Sequence, residues 1–132
     1  MRVLVPMDDS ECSRQALDRA LDLAGRHDGT VDVIHYTEKP SDSVISFRDR
    51  VAERIRASGV DAGAVEVETD VRLGRPRTSD LIGKRVLRRA DADGADEVVM
   101  GHHGTGRLGR ALLGSAAATV VRGSDVPVTV VP

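Results

Sequence analysis

Short apolar runs alternate along this chain with stretches whose apolar residues recur every three or four positions. The first run, Val3 to Val5 followed by Pro6, predicts a strand, and the polar cluster Asp8, Asp9 and Ser10 after it offers side chains that cap a helix. Ala16, Leu17, Ala20, Leu21 and Ala24 then follow the spacing of one helical face, with Gly25 to Gly29 as the stop. Thr30 to Tyr36 reads as a second strand. Beyond a polar turn near Pro40, the stripe Val44, Phe47, Val51, Ala52 and Ile55 predicts a helix that ends toward Gly59. Val65 to Leu73 alternates apolar and charged residues, as a strand near a sheet edge would, and Gly74 and Pro76 end it. Leu81, Ile82, Val86, Leu87 and Ala90 mark a third helix, and Asp91 to Asp96 a polar connection. Val98 to Met100 is a short, fully apolar strand. Leu113, Ala116, Ala117, Val120 and Val121 make the last helical stripe before Gly123, and Val126 to Val131 a closing strand.

Five strands alternating with four helices predict an α/β fold, a doubly wound open sheet of mainly parallel strands with helices on both faces. Parallel neighbours need right-handed helical crossovers, and these cover both sides of the sheet. In such a sheet ligands settle at the carboxyl ends of the strands, where the strand order reverses. That rule selects the loops after the strands, including Pro6 to Ser10 and Gly101 to Ser115, which are also the most unusual stretches of the sequence.

The length of 132 residues fits one domain, residues 1–132, with no internal repeat or linker. With 40% hydrophobic and 30% charged residues, the chain is composed like an ordinary soluble globular protein. A net charge of -2 leaves no global field to gather nucleic acid or an anionic membrane. One Tyr, one Phe and no Trp are too few rings for a base-stacking platform on single-stranded nucleic acid. Cys12 is the only cysteine, so an intrachain disulfide and a cysteine-based zinc cluster are impossible, and a structural role is the expectation for it. No apolar run reaches the length of a signal-peptide core or membrane span, so a cytoplasmic location is expected.

The segment GHHGTGRLGRALLGS holds Gly101, Gly104, Gly106, Gly109 and Gly114, a density that is costly to order and odd for a mere connection. Glycines let successive N–H groups turn toward one anion, and a helix starting near Gly114 and Ser115 adds its positive dipole end. Phosphate fits best, with Arg107, Arg110, Thr105 and Ser115 as further donors. Gly104 to Gly109 also satisfies G-x-G-x-x-G, but a dinucleotide fingerprint belongs at the first turn of a βαβ unit, and only one strand remains after this one. No Lys followed by Ser or Thr closes the loop, which excludes a Walker P-loop.

At this point the residues resemble the universal stress protein family, whose nucleotide-binding signature is Gly, two residues, Gly, nine residues, then Gly with Ser or Thr. Gly101, Gly104, Gly114 and Ser115 meet each position. The flanking Val98 to Met100 and Asp125 to Val128 look like that family's fourth strand and the entry to its fifth. Val5 to Ser10 resembles its first strand and acidic turn, and His35 the histidine that often ends its second strand. The resemblance covers the whole chain and implies the strand order 3-2-1-4-5. It further implies a nucleoside contact at Pro6, Met7, Asp8 and Tyr36, and a phosphate end at Met100, Gly101, His103, Gly104, Arg107, Gly114, Ser115 and Ala116. Tyr36 replaces a more usual aliphatic residue, and either stacks on a purine or fills the space. Met7 is bulkier than the family's usual residue.

The implied ligand is ATP, or AMP or ADP, with magnesium as a companion ion, in a stress-associated sensor or regulatory module that requires no catalysis. Two other readings remain. One is a slow ATPase or phosphotransferase using Asp8 and the loop arginines, although no His, Glu or Lys stands at recognisable spacing as a base. The other is an interaction module whose site is vestigial. Asp8 is read as ligand-facing, and Asp9 as a helix cap or solvated residue. His102 and His103 point apart in extended backbone and lack further ligands, which argues against a metal site. The strand from Val126 to Val131 carries no protective charge, so at a sheet edge it would form a homodimer by antiparallel pairing with a second copy.

Overall fold

In a computed structural model that describes residues 1–69, 78–102 and 113–132, the alternation becomes a sheet of five parallel strands in the order β3-β2-β1-β4-β5. The strands are β1 (Arg2–Met7), β2 (Thr30–Tyr36), β3 (Asp61–Glu68), β4 (Glu97–Gly101) and β5 (Val128–Val131). The helices between them are α1 (Glu11–Arg26), α2 (Asp42–Ser58), α3 (Thr78–Asp93) and α4 (Ser115–Gly123). The expected fold class and strand order are both found.

Side-chain alternation along each strand sends neighbours to opposite faces, and each face has its own core. Val3, Val5, Met7, Val31, Val33 and Val99 pack under the apolar stripes of α1 and α2. Leu4, Ile34, Tyr36, Val98 and Met100 pack under α3 and α4. The α1 stripe read from the sequence is the buried one, and Ser10 caps the helix by accepting from Ser13 N at 3.2 Å. Ser41 caps α2 in the same way, and Gly59, with φ of 77°, closes it in the left-handed conformation that glycine adopts without steric cost. Helices α3 and α4 approach closely where Gly83 faces Thr119; a Cβ there would sit 2.6 Å from Thr119 Cβ.

Several boundaries differ from the sequence expectation; β3 ends at Glu68 and β4 spans Glu97–Gly101, and the expected β3 end at Leu73, Gly74 and Pro76 lies outside the described residues. β3 begins at Asp61, not Val65, because its start is built against β2: Asp32 is buried, its Oδ1 accepts from Ala64 N at 2.6 Å, and the register shifts between Val31 and Val33. Gly63 fits there because any Cβ would overlap that carboxylate. Arg2 Nε stands 3.3 Å from Asp32 Oδ2 and supplies the opposite charge a buried carboxylate needs. Helix α3 continues through Asp91 to Asp93, where Arg89 holds the Asp93 carboxylate and also reaches Glu66 of β3 at 2.6 Å. Finally, β5 starts at Val128, not Val126; before it, Ser124 Oγ donates to Val126 O at 2.8 Å and fixes a turn.

Candidate functional site

Successive crossovers carry the chain outward from β1 through β2 to β3, and then to the opposite side through β4 to β5. The segments leaving β1 and β4 therefore part, and a crevice is expected at the carboxyl ends of these two strands. Met7 ends β1 and Gly101 ends β4, so the two segments singled out from the sequence leave the sheet side by side.

On the β1 side the chain turns through Asp8, Asp9 and Ser10. Asp8 Oδ1 accepts from Ser10 N at 3.1 Å, a local turn that its short carboxylate makes readily. Asp9 has φ of 65°, a left-handed conformation that Asp tolerates better than most residues. Of the two alternatives for Asp9, a helix cap or a solvated residue, the exposed residue is the second. The cap is Ser10, and Asp9 pairs with Arg14 of α1 at 3.1 Å and Arg50 of α2 at 3.4 Å, fastening the turn to both helices. Arg14 also bonds Glu11 and holds that carboxyl below its ordinary pKa.

His35 contributes from β2. Its Nδ1 lies 2.7 Å from the Met7 carbonyl oxygen, and because a carbonyl only accepts, Nδ1 carries the proton and donates. The Phe47 ring lies 4.8 Å from the imidazole, centroid to centroid. The histidine thus ties the end of β2 to the end of β1. Its position was visible in the sequence, but the carbonyl it would hold was not.

On the β4 side, Gly101 lies against the first turn of α1, where an added Cβ would be 2.7 Å from Cys12 Sγ and 3.1 Å from Ser13 N. His102 N donates to Val131 O at 2.7 Å, and Gly114 N donates to His102 O at 2.8 Å. These bonds bring the two ends of the glycine-rich segment together at the sheet edge. Gly114 is the N-cap of α4 and supplies no side-chain acceptor, and the first turn of α4 has no acidic residue, whereas α1 and α2 have serine caps with Glu11 and Asp42 following. Helix N-termini carry orphan N–H groups and partial positive charge, so this end of α4 suits an anion. Ser115 is exposed and Ala116 half-buried. His103, Gly104 and Arg107, together with Thr105, Gly106, Gly109 and Arg110, lie outside the described residues.

The residues assigned to the nucleoside separate onto two faces. Met7 is 4% exposed and points into the core under α1 and α2. Tyr36 is 7% exposed and belongs to the opposite core, together with Met100 and with Ala117 of α4. Of the two alternatives for Tyr36, the ring fills space in that core. Burial, and next the charge of Glu68, push its phenol up to about 12. Pro6 is buried and Asp8 half-buried at the crevice. A separate cavity of about 230 Å³ opens near the amino ends of the strands, lined in part by Leu87, Asp91, Gly94 and Asp125, far along the sheet from this chemistry. Among the described residues no group of three or more His, Cys, Asp or Glu side chains is placed to hold a metal ion. Among them, too, no helix is long and apolar enough to cross a membrane.

Comparison with known proteins gives consistent matches. The model of the universal stress protein family matches residues 1–132. A universal stress protein of Methanocaldococcus jannaschii is 26% identical, over 98% of this chain and 81% of its own length. A universal stress protein solved in complex with cAMP superposes with a TM-score of 0.73 at 26% identity, covering 99% of this chain and 95% of that one. The universal stress protein of Archaeoglobus fulgidus, solved with dAMP, gives a TM-score of 0.70 at 21% identity, covering 100% and 98%.

Proposed function

This chain belongs to the universal stress protein family, and we propose from that premise that it binds an adenine nucleotide at the carboxyl ends of β1 and β4 as a sensor or regulatory module. The observation that carries this reading is the start of α4: a helix N-terminus with no capping side chain and no acid in its first turn, at the mouth of the crevice. The phosphates lie against Gly114, Ser115 and Ala116 and the glycine-rich segment before them, where Gly104, His103 and Arg107 complete the set. Asp8 faces the sugar or a magnesium ion. The similar proteins solved with cAMP and dAMP support an adenine ligand.

In this reading residues 1–132 act as one cytoplasmic unit that pairs with a second copy through β5, an edge strand without charged residues. The test is calorimetric titration of the purified protein with ATP, AMP and cAMP, after analysis for retained nucleotide. Binding by any of them supports the reading, and absence of binding at millimolar concentration overturns it. Gly114→Val would block phosphate approach and abolish binding while the domain stays folded; unchanged affinity in that variant would remove α4 from the site.

A further inference from the structure

The cavity of about 230 Å³ at the amino ends of the strands opens between the carboxyl ends of α3 and α4, and the turns that lead from them into β4 and β5 complete its walls. Its floor is apolar: Ala95 is buried, and Leu87 and Val126 are half-buried. Arg88, Asp91 and Asp125 stand exposed at its rim. Neighbouring acids are satisfied, since Arg89 holds the Asp93 carboxylate and Asp96 accepts from Arg2 N at 2.7 Å. The side chains of Arg88, Asp91 and Asp125 make no ion pair or hydrogen bond among the described residues. Asp91 also lies in the last turn of α3, at the negative end of the helix dipole, and that turn has no basic residue, whereas α1, α2 and α4 end with Arg26, Arg56 and Arg122. An unpaired acid there is unfavourable, and a bound cation would offset it.

The volume of about 230 Å³ is below the roughly 300–1,000 Å³ of sites for drug-sized ligands, so the cavity suits a molecule smaller than a nucleotide. Two carboxylates and one guanidinium around an apolar floor ask for both charges and an apolar body in one small ligand. We propose that this cavity binds a free α-amino acid with an aliphatic side chain. The ammonium group sits between Asp91 and Asp125, the carboxylate pairs with the Arg88 guanidinium, and the side chain covers Leu87, Ala95 and Val126. A simple amine would use the two acids but leave Arg88 opposing it. The site lies at the other end of the sheet from the crevice and does not depend on the nucleotide reading.

Calorimetric titration of the full chain with leucine, isoleucine and valine tests this, each compared with its decarboxylated amine and its deaminated acid. The expected result is binding of at least one amino acid, with its amine and its acid about tenfold or more weaker. Asp125→Asn and Arg88→Gln, both at exposed positions, should each lower that affinity about five- to tenfold while the melting temperature of the free protein is unchanged. Absence of binding by all three amino acids at millimolar concentration overturns the proposal. An amine that binds as tightly as its parent amino acid overturns it too, because the cavity would then be a cation site in which Arg88 has no part. Unchanged affinity in either variant overturns it by placing the amino acid elsewhere on the protein.

Discussion

Gly101→Ala probes why β4 must end on glycine. A methyl group there would lie 2.7 Å from Cys12 Sγ, 3.1 Å from the Cys12 carbonyl carbon and 3.1 Å from Ser13 N. The sulfur is in a buried site, and the other two atoms belong to the first turn of a 16-residue helix that cannot shift alone. Overpacking of this kind costs about 1–3 kcal/mol, and the backbone contacts argue for a value near ~2 kcal/mol. With an unfolding entropy of roughly 2.1 cal/mol/K per residue, that corresponds to a fall of about 7 °C in melting temperature for a chain of this length. Cys12→Ala removes the nearest atom and leaves the two 3.1 Å contacts. Alone it costs about 1 kcal/mol, for lost packing and the Ser10 Oγ–Cys12 Sγ contact at 3.4 Å, while Ser10 keeps its bond to Ser13 N. In the double variant the two losses overlap, and the total falls below their sum by about 1 kcal/mol or more. Urea denaturation of the four proteins, with midpoints and slopes compared, measures this coupling. Additive losses, or a Gly101→Ala protein that melts within a degree of the parent, would refute close packing of β4 on α1 as the reason for this glycine.

Two further outcomes can be checked by the same methods. Gly83→Ala should destabilise by about 1 kcal/mol, because the clash with Thr119 of α4 outweighs the roughly 1 kcal/mol gained in helix propensity; Gly25→Ala, whose nearest contact is Val60 Cγ2 at 3.6 Å, should stabilise by a few tenths. Denaturant midpoints that move in the same direction for both would contradict the packing assigned to α3 and α4. Tyr36 is the sole tyrosine in a chain without tryptophan, so ultraviolet absorbance follows its ionisation directly. The phenol should remain protonated until about pH 12 in the folded protein. Because the folded-state pKa is raised above the unfolded value near 10, the associated stability is fully present below about pH 10 and is lost as pH rises through about 12. Titration near pH 10 while the protein is still folded would contradict the burial of Tyr36.

The helices and the parallel sheet were legible because local signals agreed with the tertiary structure. The stripe Ala16, Leu17, Ala20, Leu21 and Ala24 is the buried face of α1, and strands too short to be independent hairpins alternate with helices long enough to cross over them. The start of β3 was not legible. Ala62, Gly63 and Ala64 carry little strand preference, and what holds them is the Asp32 carboxylate, about thirty residues earlier in an otherwise apolar strand. The choice between the two roles of Tyr36 was not legible for a different reason. A period of two assigns it to the face of Ile34, but which helices cover that face depends on the hand and direction of the crossovers, a property of the assembled sheet.

The glycine signature carries two kinds of information in one pattern. Its spacing suggests a phosphate loop, yet Gly101 at its start is accounted for by the first turn of α1, and Gly114 at its end serves as the N-cap of α4. These two roles are linked. A glycine that lets α1 lie against the end of β4 also brings the Asp8 turn beside it, and a glycine that starts α4 without a capping side chain leaves that helix end available to an anion. A larger residue at 101 would disturb the crevice by moving α1, without touching a ligand. A larger residue at 114 would act at the proposed anion site itself. The same glycine spacing therefore encodes both the approach of the elements and the surface they create, which is why a loop motif could report on the fold of a whole chain.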